Sequence, residues 1–208
     1  MNILAFESSC DETAVAVLRA DEEQITVLAS TVATQIDIHR LYGGVVPEIA
    51  SRAHIEQISP LCYEALRESG LSLSEIDLIA VTANPGLIGA LLVGVNFAKS
   101  LAAANHIPLV AVDHIKGHIA AAYLNTSEPP KPPFLALALS GGHTSIYRVA
   151  ERLRHMGCRQ VVLVHLIGYQ LIGNLRLVEQ ACRICLINTL FRHILKSCTK
   201  LLKFGGFA

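Results

Sequence analysis

The apolar and polar positions fall into two rhythms. Residues 2–9, NILAFESS, form an apolar run that ends in small polar residues, the pattern of a buried strand entering a tight turn. TAVAVL (13–18) and QITVLASTVA (24–33) read as two further strands, with RADEE (19–23) as the hairpin between them. From Pro47 the period lengthens. Ile49, Ala53, Ile58, Leu61, Ala65 and Leu66 keep near-helical spacing, with Pro60 a kink point and Gly70 the stop. A buried strand, Leu78 to Thr82, closes on a Pro-Gly turn. The small-residue-rich helix LIGALLVGVNFAKSLAAANH (87–106) comes next, and then the strand IPLVAVDHI ends at Asp113. HIKGHIAAAYL (114–124) reads as a helix. A proline-rich connector, SEPPKPP, then leads to a new strand segment, FLALALSGGHTSIYRV.

Three hairpin-linked strands followed by helix, strand, helix, strand predict a mixed α/β sheet covered by helices. The order resembles a ribonuclease H-like lobe. The chain also matches itself. ILAFESSCDETAVAVL and LALALSGGHTSIYRV both give apolar strand, Ser, three small or polar residues, Thr, apolar strand. Ser9 to Thr13 and Ser140 to Thr144 share one spacing. Either two hairpins look alike, or two related lobes each open with a hairpin whose turn faces a common cleft.

Composition changes the picture mainly by dividing it. Charges balance at 17 basic and 17 acidic residues, so no global field draws the chain to nucleic acid. Yet 15 of the 17 acids and 8 of the 17 bases precede residue 151, leaving 2 acids and 9 bases beyond. All eight prolines lie before residue 134, and four of six cysteines (Cys158, Cys182, Cys185, Cys198) lie in the tail, which lacks aspartate. Unpaired cysteine spacing fits a reducing compartment. The start, MNILAFESSCDE, has no basic leader, and polar residues interrupt every apolar run short of the ~18–20 residues of a membrane span. A cytoplasmic protein without membrane contact is expected.

Four stretches carry candidate chemistry. SGGHTS (140–145) offers backbone N–H groups and hydroxyls suited to a phosphate or carboxylate. SSCDET (8–13) adds Asp11 and Glu12 at a strand-to-strand turn, either a solvated tip or, if it faces a cleft, an acid that positions a metal or nucleophile. His114 and His118, at i and i+4, point the same way on a helix and can reach one cation, or they are a packing coincidence. Ile115 stands where a zinc protease would carry its general-base glutamate. NPGLIGALLVG (84–94) lacks the lysine of a nucleotide loop, so its glycines are read as allowing close helix–sheet contact. LYGGVVPEIASRAH (41–54) is distinctive without revealing a ligand.

Together ESSCDETAVAV, YGGVVPEIASRAH, NPGLIGALLVG, DHIKGHIAAAYL and LALSGGHTS, in this order and spacing over residues 1–149, resemble the TsaD family. These are tRNA threonylcarbamoyl-transferring proteins once catalogued as O-sialoglycoprotein endopeptidases. The resemblance implies the actin-like and sugar-kinase-like ATPase (ribonuclease H-like) α/β fold, with a complete first lobe (1–112). The HxxxH helix and the start of a truncated second lobe (113–150) would come next, then an aberrant basic tail (151–208). It implies transfer of threonylcarbamoyl from threonylcarbamoyl-AMP to N6 of the adenosine beside the anticodon, in tRNAs reading codons that begin with A. It places one divalent iron or zinc ion on His114 and His118, substrate on Ala138, Leu139, Ser140, Gly141 and Gly142, and the family's acidic turn on Asp11 and Glu12. The partners it implies are tRNA, a TsaB-like non-catalytic paralogue, a TsaE-like ATPase and a TsaC-like synthase.

Beyond residue 150 the pattern departs. The family's acidic, glycine-rich DDAAGEAFDK-type segment and its later metal-binding aspartate have no counterpart in ERLRHMGCRQVVLVHLIGYQ or in the residues after it. CRIC (182–185) has no second half for a metal site. A shifted reading frame or alternative ending is expected there. The expected activity of the 208 residues is little or no transfer, with a non-catalytic partner-binding homologue or truncated isoform as the alternative. A metalloendopeptidase is disfavoured by the missing glutamate.

Overall fold

The computed structural model describes residues 1–21, 25–124, 126, 128, 130–139 and 144–149. These fall into two compact units, Met1–Gly117 and a second that begins at His118. The expected tail, residues 151–208, and the Ser140–Gly142 turn lie outside the described residues.

The first unit is built on a five-stranded sheet of β1 (Asn2–Glu7), β2 (Glu12–Ala20), β3 (Ile25–Thr34), β4 (Leu78–Asn84) and β5 (Leu109–Asp113), in the order β3-β2-β1-β4-β5. β1, β2 and β3 are antiparallel neighbours, whereas β4 pairs parallel to β1 and β5 parallel to β4. This is the mixed α/β sheet that the alternation predicts. Parallel neighbours require crossovers, and the helices supply them.

Strand alternation sets the core. Leu4 and Phe6 of β1, Val15 and Val17 of β2, and Ile79 and Val81 of β4 point to one face and are buried. Two helices cover that face. α2 (Pro47–Ser69) packs on β2 and β3, and α3 (Ile88–Asn105) on β4 and β1. Pro47 begins α2, where no intrahelical N–H is needed, and Gly70 ends it at φ 70°, a left-handed cap that favours glycine. α3 buries Ala90, Gly94, Ala98 and Ala102, one residue per turn, so a stripe of small side chains lies against the sheet. It is long and apolar enough to cross a membrane (18 residues, mean hydropathy 1.3). Asn96 and Lys99 interrupt it, and the alanine–glycine stripe serves the sheet instead.

Two elements escape the pattern reading. A five-residue helix, α1 (Ile36–Arg40), comes after β3 without a side-chain cap, and a short 3-10 turn, Leu73–Glu75, carries a Ser72–Glu75 capping box. α4 (His114–Ala120) adjoins β5 directly, and the boundary between the units falls within it. In the second unit β6 (Phe134–Leu139) and β7 (Thr144–Val149) form an antiparallel pair, and the Tyr123 and Phe134 rings lie 6.2 Å apart.

Candidate functional site

Because β1, β4 and β5 run parallel, their carboxyl ends emerge side by side, the edge at which open α/β sheets place ligands. Each strand delivers polar groups there: Glu7 from β1, Thr82 and Asn84 from β4, Asp113 from β5, and His114 just beyond. Thr82 and Asn84 stand two residues apart at the end of β4, and the β4–β5 register shifts between them. Asn84 Nδ2 donates to Asp113 Oδ2 at 3.1 Å, and Asp113 Oδ1 accepts the Lys116 N–H at 3.0 Å, which fixes the first turn of α4.

Glu7 is the centre of the cluster. The Thr82 hydroxyl donates to its Oε2 at 2.7 Å, His114 Nδ1 lies 3.0 Å from the same oxygen, and the Ser9 N–H donates to Oε1. The Ser9 hydroxyl oxygen also lies 3.1 Å from His114 Nδ1. Burial works to raise the Glu7 carboxyl, but the hydrogen bonds from His114, Ser9 and Thr82 outweigh it and bring it down to about 2. The same bond, with the carboxylate charge, raises His114 above its ordinary value against the opposing effect of burial.

The β1–β2 turn is clamped from two sides. The Ser9 carbonyl accepts the Leu87 N–H at 2.8 Å, and the Ser8 hydroxyl donates to the Ala90 carbonyl at 2.9 Å. This closeness is why Gly86 and Gly94 of NPGLIGALLVG are needed. A Cβ on Gly86 would stand 2.6 Å from the Ser9 carbonyl oxygen, and one on Gly94 would press into Ser8 Oγ. Gly86→Ala is expected to displace the turn at a cost of about 1–3 kcal/mol. Hydrogen exchange at the Leu87 amide, faster in the variant, would report it.

From the other side comes α2. His54 is fully buried, and its Nε2–H donates to the Cys10 carbonyl at 3.1 Å, since a carbonyl can only accept. Nδ1 is therefore the acceptor, and the Thr13 hydroxyl donates to it at 2.7 Å. Buried Gln35 sits between His54 and His39, accepting at Oε1 from His39 Nε2 at 3.0 Å. Its backbone N–H reaches the Asp11 carbonyl at 3.0 Å. Burial lowers the His54 pKa, consistent with a neutral ring. His54 gives the YGGVVPEIASRAH stretch a role that its sequence did not disclose: it braces the acidic turn.

The expected site residues that are described lie on α4, at the β1–β2 turn and on β6. His114 meets the β1–β2 turn through Glu7 and Ser9, and His118 lies one helical turn on along α4. Asp11 is half-buried in the turn, and Glu12 is exposed at the start of β2, opposite Thr34. Ala138 is half-buried in β6 opposite Ser145, and Leu139 ends that strand opposite Thr144. Ser140, Gly141 and Gly142 are outside the described residues, so the Ser140–Thr144 half of the internal match is as well. Among the described residues, no group of three or more His, Cys, Asp or Glu side chains gathers as a metal shell. Burial, reinforced by Asp11, pushes the Cys10 thiol up to about 11, which keeps it a thiol rather than a nucleophile. Glu7, Thr82, Asn84, His54 and Gln35 went unread in the sequence. Only the polar end of each apolar run hinted at the first three.

The profile of the TsaD family, described as tRNA N6-adenosine threonylcarbamoyltransferase, matches residues 26–177, most of the chain. The chain belongs to the TsaD family. The match runs past Val149, where the five recognisable motifs stop. A tRNA N6-adenosine threonylcarbamoyltransferase of Trichlorobacter lovleyi is 58% identical over 149 residues, which is 72% of this chain and 42% of that one. Its namesake from Geobacter sp. (strain M21) is 56% identical over 162 residues, 78% of this chain and 46% of that one. The chain thus spans less than half the length of these TsaD relatives. Among solved structures, YeaZ from Pseudomonas aeruginosa is 22% identical with a TM-score of 0.46, covering 72% of this chain and 62% of its own. RuvC from T. thermophilus, in complex with a Holliday junction substrate, is 13% identical with a TM-score of 0.39, covering 64% and 84%.

Proposed function

We propose that this chain takes part in threonylcarbamoyl transfer from threonylcarbamoyl-AMP to N6 of the adenosine beside the anticodon, in tRNAs reading codons that begin with A. Family membership supports the reaction, and the observation that carries the site is the Glu7–His114 pair at the carboxyl ends of parallel strands. The proposed frame is the actin-like, ribonuclease H-like fold, with residues 1–112 as first lobe and 113–150 opening the second. The donor set on α4 fits a metal as far as it goes, with two imidazoles one turn apart and one of them already held by a carboxylate. His114 and His118 would hold one divalent ion, iron or zinc, with a further ligand from elsewhere in the protein. The chemistry such an ion would supply there is Lewis acidity towards the donor's threonine moiety.

Ala138, Leu139, Ser140, Gly141 and Gly142 are assigned to the donor, Ser-Gly-Gly backbone amides stabilising charge as it develops. Glu12 is assigned to orienting the phosphate side or the amine, with Asp11 beside it in the family's acidic turn. The incoming amine attacks an already activated carbonyl and AMP leaves, so no nucleophilic side chain is needed. The high Cys10 pKa agrees with that. Partners in this reading are tRNA, a TsaB-like paralogue, a TsaE-like ATPase and a TsaC-like synthase, in the cytoplasm.

The acid-poor, aspartate-free sequence after residue 150 favours a second reading, a partner-binding homologue without catalysis. One experiment separates them. The chain, its TsaB-like and TsaE-like partners, tRNA and threonylcarbamoyl-AMP are combined, and modified adenosine is measured beside complex formation. Modification lost in His114→Ala supports transfer. Complex formation without modification supports the binding reading, and neither outcome appearing would sink both.

A further inference from the structure

We infer that Glu7 is a positioning residue: it sets the tautomer and orientation of the His114 ring so that Nε2 is the atom presented as a metal ligand. The inference deepens the proposed function and rests on its metal reading.

The argument is one of donors and acceptors. An ionised carboxylate offers only lone pairs, so the 3.0 Å contact between Glu7 Oε2 and His114 Nδ1 requires the hydrogen on Nδ1. In the neutral ring Nε2 then carries the lone pair. A carboxylate on the far nitrogen is the arrangement that fixes ring orientation and raises basicity in metal-binding histidines. Glu7 is itself held. Thr82 donates to the oxygen that faces His114, and the Ser9 amide donates to the other. With every oxygen engaged and the side chain about two-thirds buried (32% exposed), Glu7 has little freedom to turn away from the ring. Apart from His114 itself, its partners are Thr82 at the end of β4 and Ser9 in the β1–β2 turn, so the carboxylate is held from the sheet side independently of α4.

The test uses the full chain with zinc or ferrous iron as probe. Metal affinity is measured by chelator competition for wild type, Glu7→Gln, Thr82→Val, His114→Ala and His118→Ala. Ring 15N shifts of His114 are read in the metal-free chain above the histidine titration, and circular dichroism checks folding. Expected is Nδ1–H in wild type, a shift towards Nε2–H in Glu7→Gln, and a loss of about 10- to 100-fold in affinity. A smaller loss is expected in Thr82→Val, which keeps the carboxylate but loosens it. If His114→Ala abolishes binding while Glu7→Gln binds as tightly as wild type, the inference falls and the metal reading stands. If neither histidine variant alters binding, the metal reading falls. An Nε2–H ring in the wild-type chain overturns the inference by itself, whether or not any variant folds.

Discussion

Replacing His54 with alanine is expected to lower the stability of the chain by about 3–5 kcal/mol, because a full-sized buried side chain is lost together with its hydrogen bonds. The ring is fully buried, and three groups depend on it: the Cys10 carbonyl, the Thr13 hydroxyl and, at longer range, the Gln35 amide. Thr13 and Gln35 are themselves buried, so water does not take the place of the ring beside them. Denaturant unfolding of wild type and variant, compared at pH 8, measures the loss. A loss under about 1 kcal/mol would mean that the turn is held from the α3 side alone.

The same residue gives the chain a pH dependence. Burial holds the folded-state pKa of His54 below its ordinary 6.5, although the Cys10 carbonyl and the Glu7 and Asp11 charges pull it up and His39 pushes it down. Its stabilising contribution is therefore complete above that value. It declines as pH falls, because the unfolded chain takes up the proton first. His114 has the opposite sign. Its raised pKa contributes stability below the ordinary histidine value, and that contribution is lost as pH rises through the folded-state pKa. The difference in unfolding free energy between wild type and His54→Gln, tracked from pH 8 to pH 5, isolates His54 and should shrink towards the acid end.

Leu4→Ala is expected to cost about 2–5 kcal/mol, a large share of the total for a domain of this size. Leu4 is wholly buried on β1, the middle strand of five, with β2 on one side and β4 on the other. A cavity there opens on the side of α3, the helix that meets β1, whose buried stripe of Ala90, Gly94, Ala98 and Ala102 holds only small side chains. The midpoint of thermal unfolding is the measurement. Val32→Ala, exposed on β3 of the same sheet, serves as control.

The strands and long helices were legible because their signal is local. Leu4, Phe6, Val15 and Val17 alternate as a sheet face requires, and Pro47 and Gly70 bracket α2 as physics prefers. α1 was not legible, because five residues without a capping side chain make no period. The site divides the same way. His114 was found through its spacing from His118, a local pattern. Glu7 was not, because Thr82 and His114 stand 75 and 107 residues from it and no window along the chain contains them together. His54 was hidden for the same reason, its partners Thr13 and Cys10 lying 41 and 44 residues away.

That separation has a consequence in time. Glu7 leaves the ribosome long before His114, and at about 5–20 residues per second the 107 intervening positions take on the order of 5–20 s to be made. Throughout that interval the nascent first hairpin carries its acid without the histidine. The β1–β4 and β4–β5 pairings that deliver the ring are non-local and parallel, the kind that forms slowly. The cluster at the strand ends is thus among the last things the first unit can build, and its presence certifies that the sheet beneath it is finished.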